Sequence, residues 1–166
     1  MKKALLFALA LIAVGCADPI PRNMDGLVQQ GDTYLDRETM RPYSGPVFDL
    51  ASDDTTRVQF SANLKDGQLD GPYERYRYEN GQLSSKGTSV AGDPEGPDEA
   101  YHENGQLRQK RTYVAGELDG PFEDYYENGQ LQDRGTYNMG RRCGEWIYGG
   151  ETRTYDPCPP GLADGN

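Results

Sequence analysis

Few residues in this chain are placed to do chemistry. His102 is the only histidine, and the repeat pattern described below matches no serine or cysteine to it as a nucleophile. Carboxylates are plentiful, but Glu74, Glu99 and Glu123 are each expected to face a Lys or Arg on the neighbouring strand, which leaves none free as a general acid or base. Glu79, Glu103 and Glu127 each stand one residue before an Asn-Gly pair. That is a turn position, and no EF-hand loop accompanies it. The expectation is a chain that is not an enzyme, with no catalytic residues, no metal and no cofactor. Cys143 and Cys158 admit two readings, a disulfide or part of a metal site. Without a CxxC spacing or a nearby histidine, the pattern favours the bridge in an exported protein.

The elements that must position these residues are repeated. The strings RYENGQL at 77–83, YHENGQL at 101–107 and YYENGQL at 125–131 place Asn80, Asn104 and Asn128 at a period of 24. The segments that follow also match: KGTSVAGDPEG from Lys86, KRTYVAGELDG from Lys110 and RGTYNMGRRCG from Arg134. A fixed period of this size marks an array in which each unit is one supersecondary motif. Asn-Gly favours a two-residue type I′ turn with positive φ at both residues. Such a turn at Asn128-Gly129 pairs Tyr126 with Leu131, Glu123 with Arg134 and Phe122 with Gly135, and it sets Asp124 unfavourably against Asp133. One hairpin earlier, the same register pairs His102 with Leu107, Glu99 with Lys110 and Asp98 with Arg111. The Asn80 hairpin has one residue more on its first strand. A β-bulge near Arg75 that absorbs it pairs Glu74 with Lys86 and Tyr73 with Gly87.

The reading is all-β: an elongated antiparallel sheet of stacked hairpins after an N-terminal signal helix, with no helical periodicity elsewhere. Residues 1–15 read as a signal peptide, 16–26 as a Pro-bearing tether, and 27–57 as an N-terminal cap with a degenerate first repeat. Residues 58–143 hold the repeats, and 144–166 form a C-terminal cap closed by the disulfide. Val58, Phe60, Leu64, Leu83, Leu107, Tyr113, Leu131 and Tyr137 are expected to share one face with the aromatics. Tyr73, Tyr76, Tyr78, Phe122, Tyr126 and Trp146 then form either an exposed interaction strip or the core of a curled sheet.

The motif GPFEDYYENGQLQDRGTY and its sister copies resemble the bacterial variant of the MORN repeat over about Leu27 to Tyr148. The resemblance implies a β-hairpin array, often exported, serving as a scaffold or binding surface, with no shared catalytic residues. Some proteins of this kind carry an antitoxin label, so neutralisation of a toxin is the alternative function. Asp98 and the Cys143–Cys158 pair depart from the common unit.

The chain opens Met-Lys-Lys, continues through the apolar run Ala4–Val14, and reaches Gly15-Cys16. That is a signal pattern, and the run is too short to span a bilayer, which takes about 20 residues. The ending Ile-Ala-Val-Gly-Cys resembles a bacterial lipobox and implies acylation of Cys16; a plain signal peptide that leaves Cys16 free is the other reading. Losing Lys2 and Lys3 with the leader takes the formal charge from −10 to −12. So acidic a body disfavours nucleic acid and anionic headgroups, which leaves acyl chains as the route to the membrane. Ala17 after the cysteine resembles the sorting pattern for the outer membrane, and Asp18 weakens that likeness. The partners expected are the membrane, through Cys16, and an unidentified protein or glycan of the cell envelope.

Overall fold

The structure is a computed structural model that describes residues 20–52, 54–77 and 79–162. The signal peptide, Cys16 and Tyr78 lie outside the described residues. The strands are β1 (Arg22–Asn23), β2 (Leu27–Gln30), β3 (Thr33–Asp36), β4 (Gly45–Ala51), β5 (Asp54–Lys65), β6 (Gln68–Leu69), β7 (Gly71–Tyr76) and β8 (Leu83–Val90). They continue as β9 (Asp93–Pro94), β10 (Gly96–Tyr101), β11 (Leu107–Val114), β12 (Glu117–Tyr125), β13 (Leu131–Asn138), β14 (Arg141–Tyr148) and β15 (Glu151–Thr154). Among the described residues thirteen of these form one sheet, while β2 and β3 pair separately. The single helical element there is a 3-10 turn at Met24–Gly26, capped by the Asn23 side chain. The all-β expectation holds, and β1 adds one short parallel pairing with β4.

From β10 to β15 each strand pairs antiparallel with the next, so the repeats form a continuous meander. The register at the strand centres is the expected one: Glu123 faces Arg134, Phe122 faces Gly135, Asp98 faces Arg111 and Glu74 faces Lys86. The loops differ from the expectation. Tyr126 N–H donates to Gln130 C=O and Gly129 N–H to Tyr126 C=O, which makes a three-residue loop whose left-handed residue is Gly129 (φ 78°). Asn128 does not adopt positive φ. Its Oδ1 instead accepts the Gln130 N–H at 3.0 Å, and Asn80 and Asn104 do the same for Gln82 and Gln106. The repeated Asn-Gly is thus an Asx-braced loop with a glycine bulge.

Within the repeats, the two-residue turns with two positive-φ residues lie at the end opposite the Asn-Gly loops. They fall at Asp66-Gly67, Ala91-Gly92, Ala115-Gly116 and Met139-Gly140. This exchange of turn types shifts the pairing beside each Asn-Gly loop by one residue. Leu131 pairs with Tyr125 rather than Tyr126, and Leu107 with Tyr101 rather than His102. A register shift does occur between Arg75 and Tyr76, but its counterparts at Ala100/Tyr101 and Asp124/Tyr125 show that it belongs to every copy. The extra residue of the Asn80 hairpin is absorbed by the loop, because Arg77 N–H closes on Gln82 C=O around four residues instead of three.

Two apolar clusters anchor the ends of the sheet. At the N-terminal end Leu27, Val47, Phe60, Ala62 and Leu64 pack together, and Met24, Tyr34, Tyr43, Leu69 and Tyr73 lie against them. The β2–β3 unit therefore lays Leu27 and Tyr34 over the sheet and removes its first strands from water. Val58, expected on this face, is exposed, because irregular pairing between Asp49 and Leu50 breaks the alternation on β5. At the other end Trp146 is 1 % exposed. Phe122 and Tyr148 stack beside it at 5.6 Å, and Tyr137 meets it edge-on at 4.9 Å. Its indole N–H donates to Thr136 C=O at 3.1 Å. The Cys143–Cys158 disulfide ties the tail back to β14, and Tyr155 adds a further edge to the tryptophan cluster.

Candidate functional site

The pleat sends alternate side chains to opposite faces, and this separates the aromatics that the sequence reading grouped together. On the core face Arg75 lies over both the Phe60 and Tyr73 rings. Farther along that face come Asp98, Arg111, Phe122 and Trp146. Tyr76 occupies the other face, where its hydroxyl donates to Glu74. Tyr126 is exposed at the mouth of its loop, and Trp146 is enclosed. Tyr73, Phe122 and Trp146 therefore share a face; Tyr76 and Tyr126 do not join them. The single strip is not formed by the five that are described: Tyr73 and Tyr76 stand three apart on an unbulged strand, so plain alternation sends them to opposite faces, and Tyr126 lies beyond the end of β12.

The centre of the core face is polar. Asp98, 4 % exposed, accepts a hydrogen bond from the Tyr73 hydroxyl at 2.6 Å and another from Arg111 Nε at 2.7 Å. Burial, with the Asp98 hydrogen bond second, pushes the Tyr73 phenol up to about 12. Gly87 leaves the room for this: a Cβ there would lie 2.8 Å from both the Tyr73 hydroxyl and the Asp98 carboxylate. Asp98 stands where the next repeat has Phe122, so a buried ion pair replaces an aromatic-glycine contact in one copy of the repeat.

The opposite face carries a single row across six strands: Glu74, Lys86, Glu99, Lys110, Glu123 and Arg134, each the cross-strand neighbour of the next. Charges alternate along the whole row, and Lys86 Nζ sits 3.1 Å from Glu99. Two residues after each glutamate comes a tyrosine that donates to it, Tyr101 to Glu99 at 2.6 Å and Tyr125 to Glu123 at 2.8 Å, as Tyr76 does to Glu74. Tyr101 first and Lys86 second hold the Glu99 carboxyl below its ordinary range. Burial and the glutamate partners raise the Tyr101 and Tyr125 phenols, and the Glu74 bond raises that of Tyr76. The pairing of Glu74, Glu99 and Glu123 with a cation inside each hairpin follows from the sequence. Tyr101 and Tyr125 stand outside that expectation; the recurring Glu-x-Tyr string at 74–76, 99–101 and 123–125 is the signal for them.

These partnerships define the chemistry of the face. Each glutamate of the row accepts a tyrosine hydroxyl, and its neighbours within the row are cations. Such a surface presents fixed hydrogen-bonding groups and ring edges at a regular interval. Among the described residues no group of three or more His, Cys, Asp or Glu is arranged to hold a metal ion. No described helix is long and apolar enough to cross a membrane.

Residues 94–115 and 118–139 match the family described as the MORN repeat variant. The two matched segments are the successive β9–β11 and β12–β13 units. No curated protein matches the chain. Among solved structures it aligns with a crystal structure of a GtfA/B complex bound to UDP and GlcNAc, at 12 % identity and a TM-score of 0.25. The alignment covers 60 % of this chain and only 22 % of that one, and a likeness so weak carries neither fold nor function across.

Proposed function

We propose that this chain is a non-catalytic repeat scaffold of the cell envelope, anchored by acyl chains on Cys16, whose sheet holds a protein or glycan partner. The MORN repeat at 94–139 supports the coarser part of this reading, a repeat scaffold or binding module. The observation that carries the finer part is the alternating charged row with its tyrosines. Tyr76, Tyr101 and Tyr125 fall on every second strand, so they recur at roughly 9.5 Å. Groups repeating at that interval suit an extended partner that itself repeats, such as a glycan chain. The carboxylates of the row are occupied by hydroxyls and cations, which favours binding over acid–base catalysis.

Photo-crosslinking residues at Tyr101 and Tyr125, compared with one at Ser89 on the same array, test the surface in cells. Recovery of one partner from the first two positions and not the third supports the reading; equal recovery from all three, or none, removes it. Incorporation of a palmitate analogue, lost in Cys16→Ala, tests the anchor. Fractionation of the envelope then separates the outer membrane from other destinations.

A second reading, neutralisation of a toxin, is favoured by one feature. The formal charge of −10 suits a strongly cationic partner. Growth arrest on deleting this gene alone, relieved by deleting a neighbouring one, is the result it requires.

A further inference from the structure

The hairpin ends carry a cleft that the scaffold reading leaves unused. Strands β8 and β10 pair only where Lys86 and Ser85 meet Glu99 and Ala100, so their ladder stops short of the loops. An open cleft of about 530 Å³ lies there, and Arg77, His102, Arg108, Arg111, Glu103 and Glu127 are among the residues lining it. Cations have thus collected in one concavity of a chain whose formal charge is −10.

The cleft is braced before any ligand arrives. An Arg77 terminal nitrogen donates to Tyr101 C=O at 2.5 Å, and His102 Nε2–H donates to Tyr125 C=O at 2.7 Å, so each spans to the next repeat. Arg111 is aimed by its Nε bond to Asp98, which is itself held by the Tyr73 hydroxyl. Arg77 Nε is buried and has no hydrogen-bond partner. Arg108, by contrast, is exposed.

Guanidinium forks match planar or tetrahedral oxyanions, and a fork already held in place loses little freedom on binding one. Glu103 and Glu127 in the same lining repel a doubly charged anion, yet they accept hydrogen bonds from hydroxyl or ammonium groups. The geometry points to a binding site for a singly charged carboxylate that carries hydroxyl or ammonium donors beside it, as a sugar acid or an amino-acid terminus does. Arg77 and Arg108 hold the carboxylate, and the two glutamates take the neighbouring donors. The site opens away from the charged row, so it stands or falls apart from the macromolecular partner proposed above.

His102, as the only histidine, gives the test its reporter. The purified chain is titrated with galacturonate, with glycine and with inorganic phosphate while the His102 ring resonances are followed by NMR. Saturable movement is expected with galacturonate or glycine: the first marks hydroxyl donors as the recognised neighbours, the second ammonium. Arg108→Gln should weaken that response by about tenfold or more, the loss of one charge-assisted pair. Lys65→Gln, exposed at the end of β5 and outside both the cleft lining and the charged row, should leave it unchanged. No saturable movement with either carboxylate, tighter binding of phosphate than of both, or an unaltered response in Arg108→Gln would each overturn the site.

Discussion

The Tyr73 hydroxyl reaches across the sheet to Asp98, 25 residues away in sequence, and donates to its carboxylate at 2.6 Å. The pair links the second hairpin to the third, and with Arg111 it fills the polar middle of the core face. Tyr73→Phe keeps the ring and removes the donor, so the cost should be about 1.5–3 kcal/mol, the range for a hydrogen bond to a charged group. The sign of the pH effect follows from the raised phenol. Folding favours the protonated form, so the contribution of Tyr73 is whole below pH 10 and is lost as pH climbs towards 12. Tyr148 is also raised to about 12, so denaturant midpoints between pH 9 and 12 should fall in both proteins but less steeply in Tyr73→Phe.

Gly135 has a backbone any residue could adopt, but the space beside it belongs to Trp146. A Cβ there would lie 2.1 Å from the indole. Because the tryptophan is hemmed in by Phe122, Tyr137 and Tyr148, it cannot swing aside cheaply. Gly135→Ala should destabilise by about 1–3 kcal/mol, as overpacking does, and should shift the emission of the single tryptophan. Unchanged thermal unfolding and an unchanged spectrum would mean that the cluster is looser than described.

Met139 adopts φ 46° in the two-residue turn before β14. A side chain branching from the backbone costs about 1–2 kcal/mol in that region, and asparagine and glycine tolerate it better. Met139→Asn should therefore raise the unfolding midpoint, by roughly 0.5–1 kcal/mol of stability. Ala115→Asn, in the equivalent turn, should act in the same direction.

The disulfide closes a loop of 15 residues, for which chain entropy alone gives about 3 kcal/mol. Reduction should lower the melting temperature. It should also release Tyr155 from Trp146, so tryptophan emission moves to longer wavelength before global unfolding. Cys143→Ser/Cys158→Ser should reproduce both changes and show no further response to reductant.

Asp124 lies directly opposite Asp133. Burial first, and the facing carboxylate second, raise its carboxyl above the ordinary 3.8. The folded state takes up this proton more readily than the unfolded one, so this site adds stability as pH falls into the window just above 3.8 and loses it as pH rises. Asp124→Asn should then be more stable than the parent at pH 7 by roughly 0.5 kcal/mol, the scale of a like-charge cross-strand pair. That advantage should disappear below about pH 3.8.

The candidate surface was legible only in part. Glu123 opposite Arg134 and Asp98 opposite Arg111 could be paired from the strings alone, because a hairpin ties partners to a short stretch of chain. The row that joins Lys86 to Glu99 and Lys110 to Glu123 crosses from one hairpin to the next, and its existence depends on how successive hairpins align. A two-residue turn sets Tyr126 opposite Leu131, whereas the structure sets Tyr125 there. A single bulged residue decides between them, and local propensity does not distinguish the two.

What the chain's own order of residues determined is the repeat: its period of 24, its all-β character, and a register at each strand centre set by residues that must meet across a short turn. What tertiary structure decided is which side each residue serves. The Asx bond from Asn128 to Gln130, and the bulge that comes with it, shift the pairing beside the loop by one residue, so that Leu131 meets Tyr125. Tyr76, Tyr101 and Tyr125 reach the charged face by plain alternation, two residues after Glu74, Glu99 and Glu123, and the alignment of successive hairpins joins those pairs into one row. The enclosure of Trp146 has the same kind of origin, since it needs Gly135 from one strand, Phe122 from another and the bridged tail together. Side-chain burial depends on everything that converges on a point in space, and nearness along the chain accounts for only part of that.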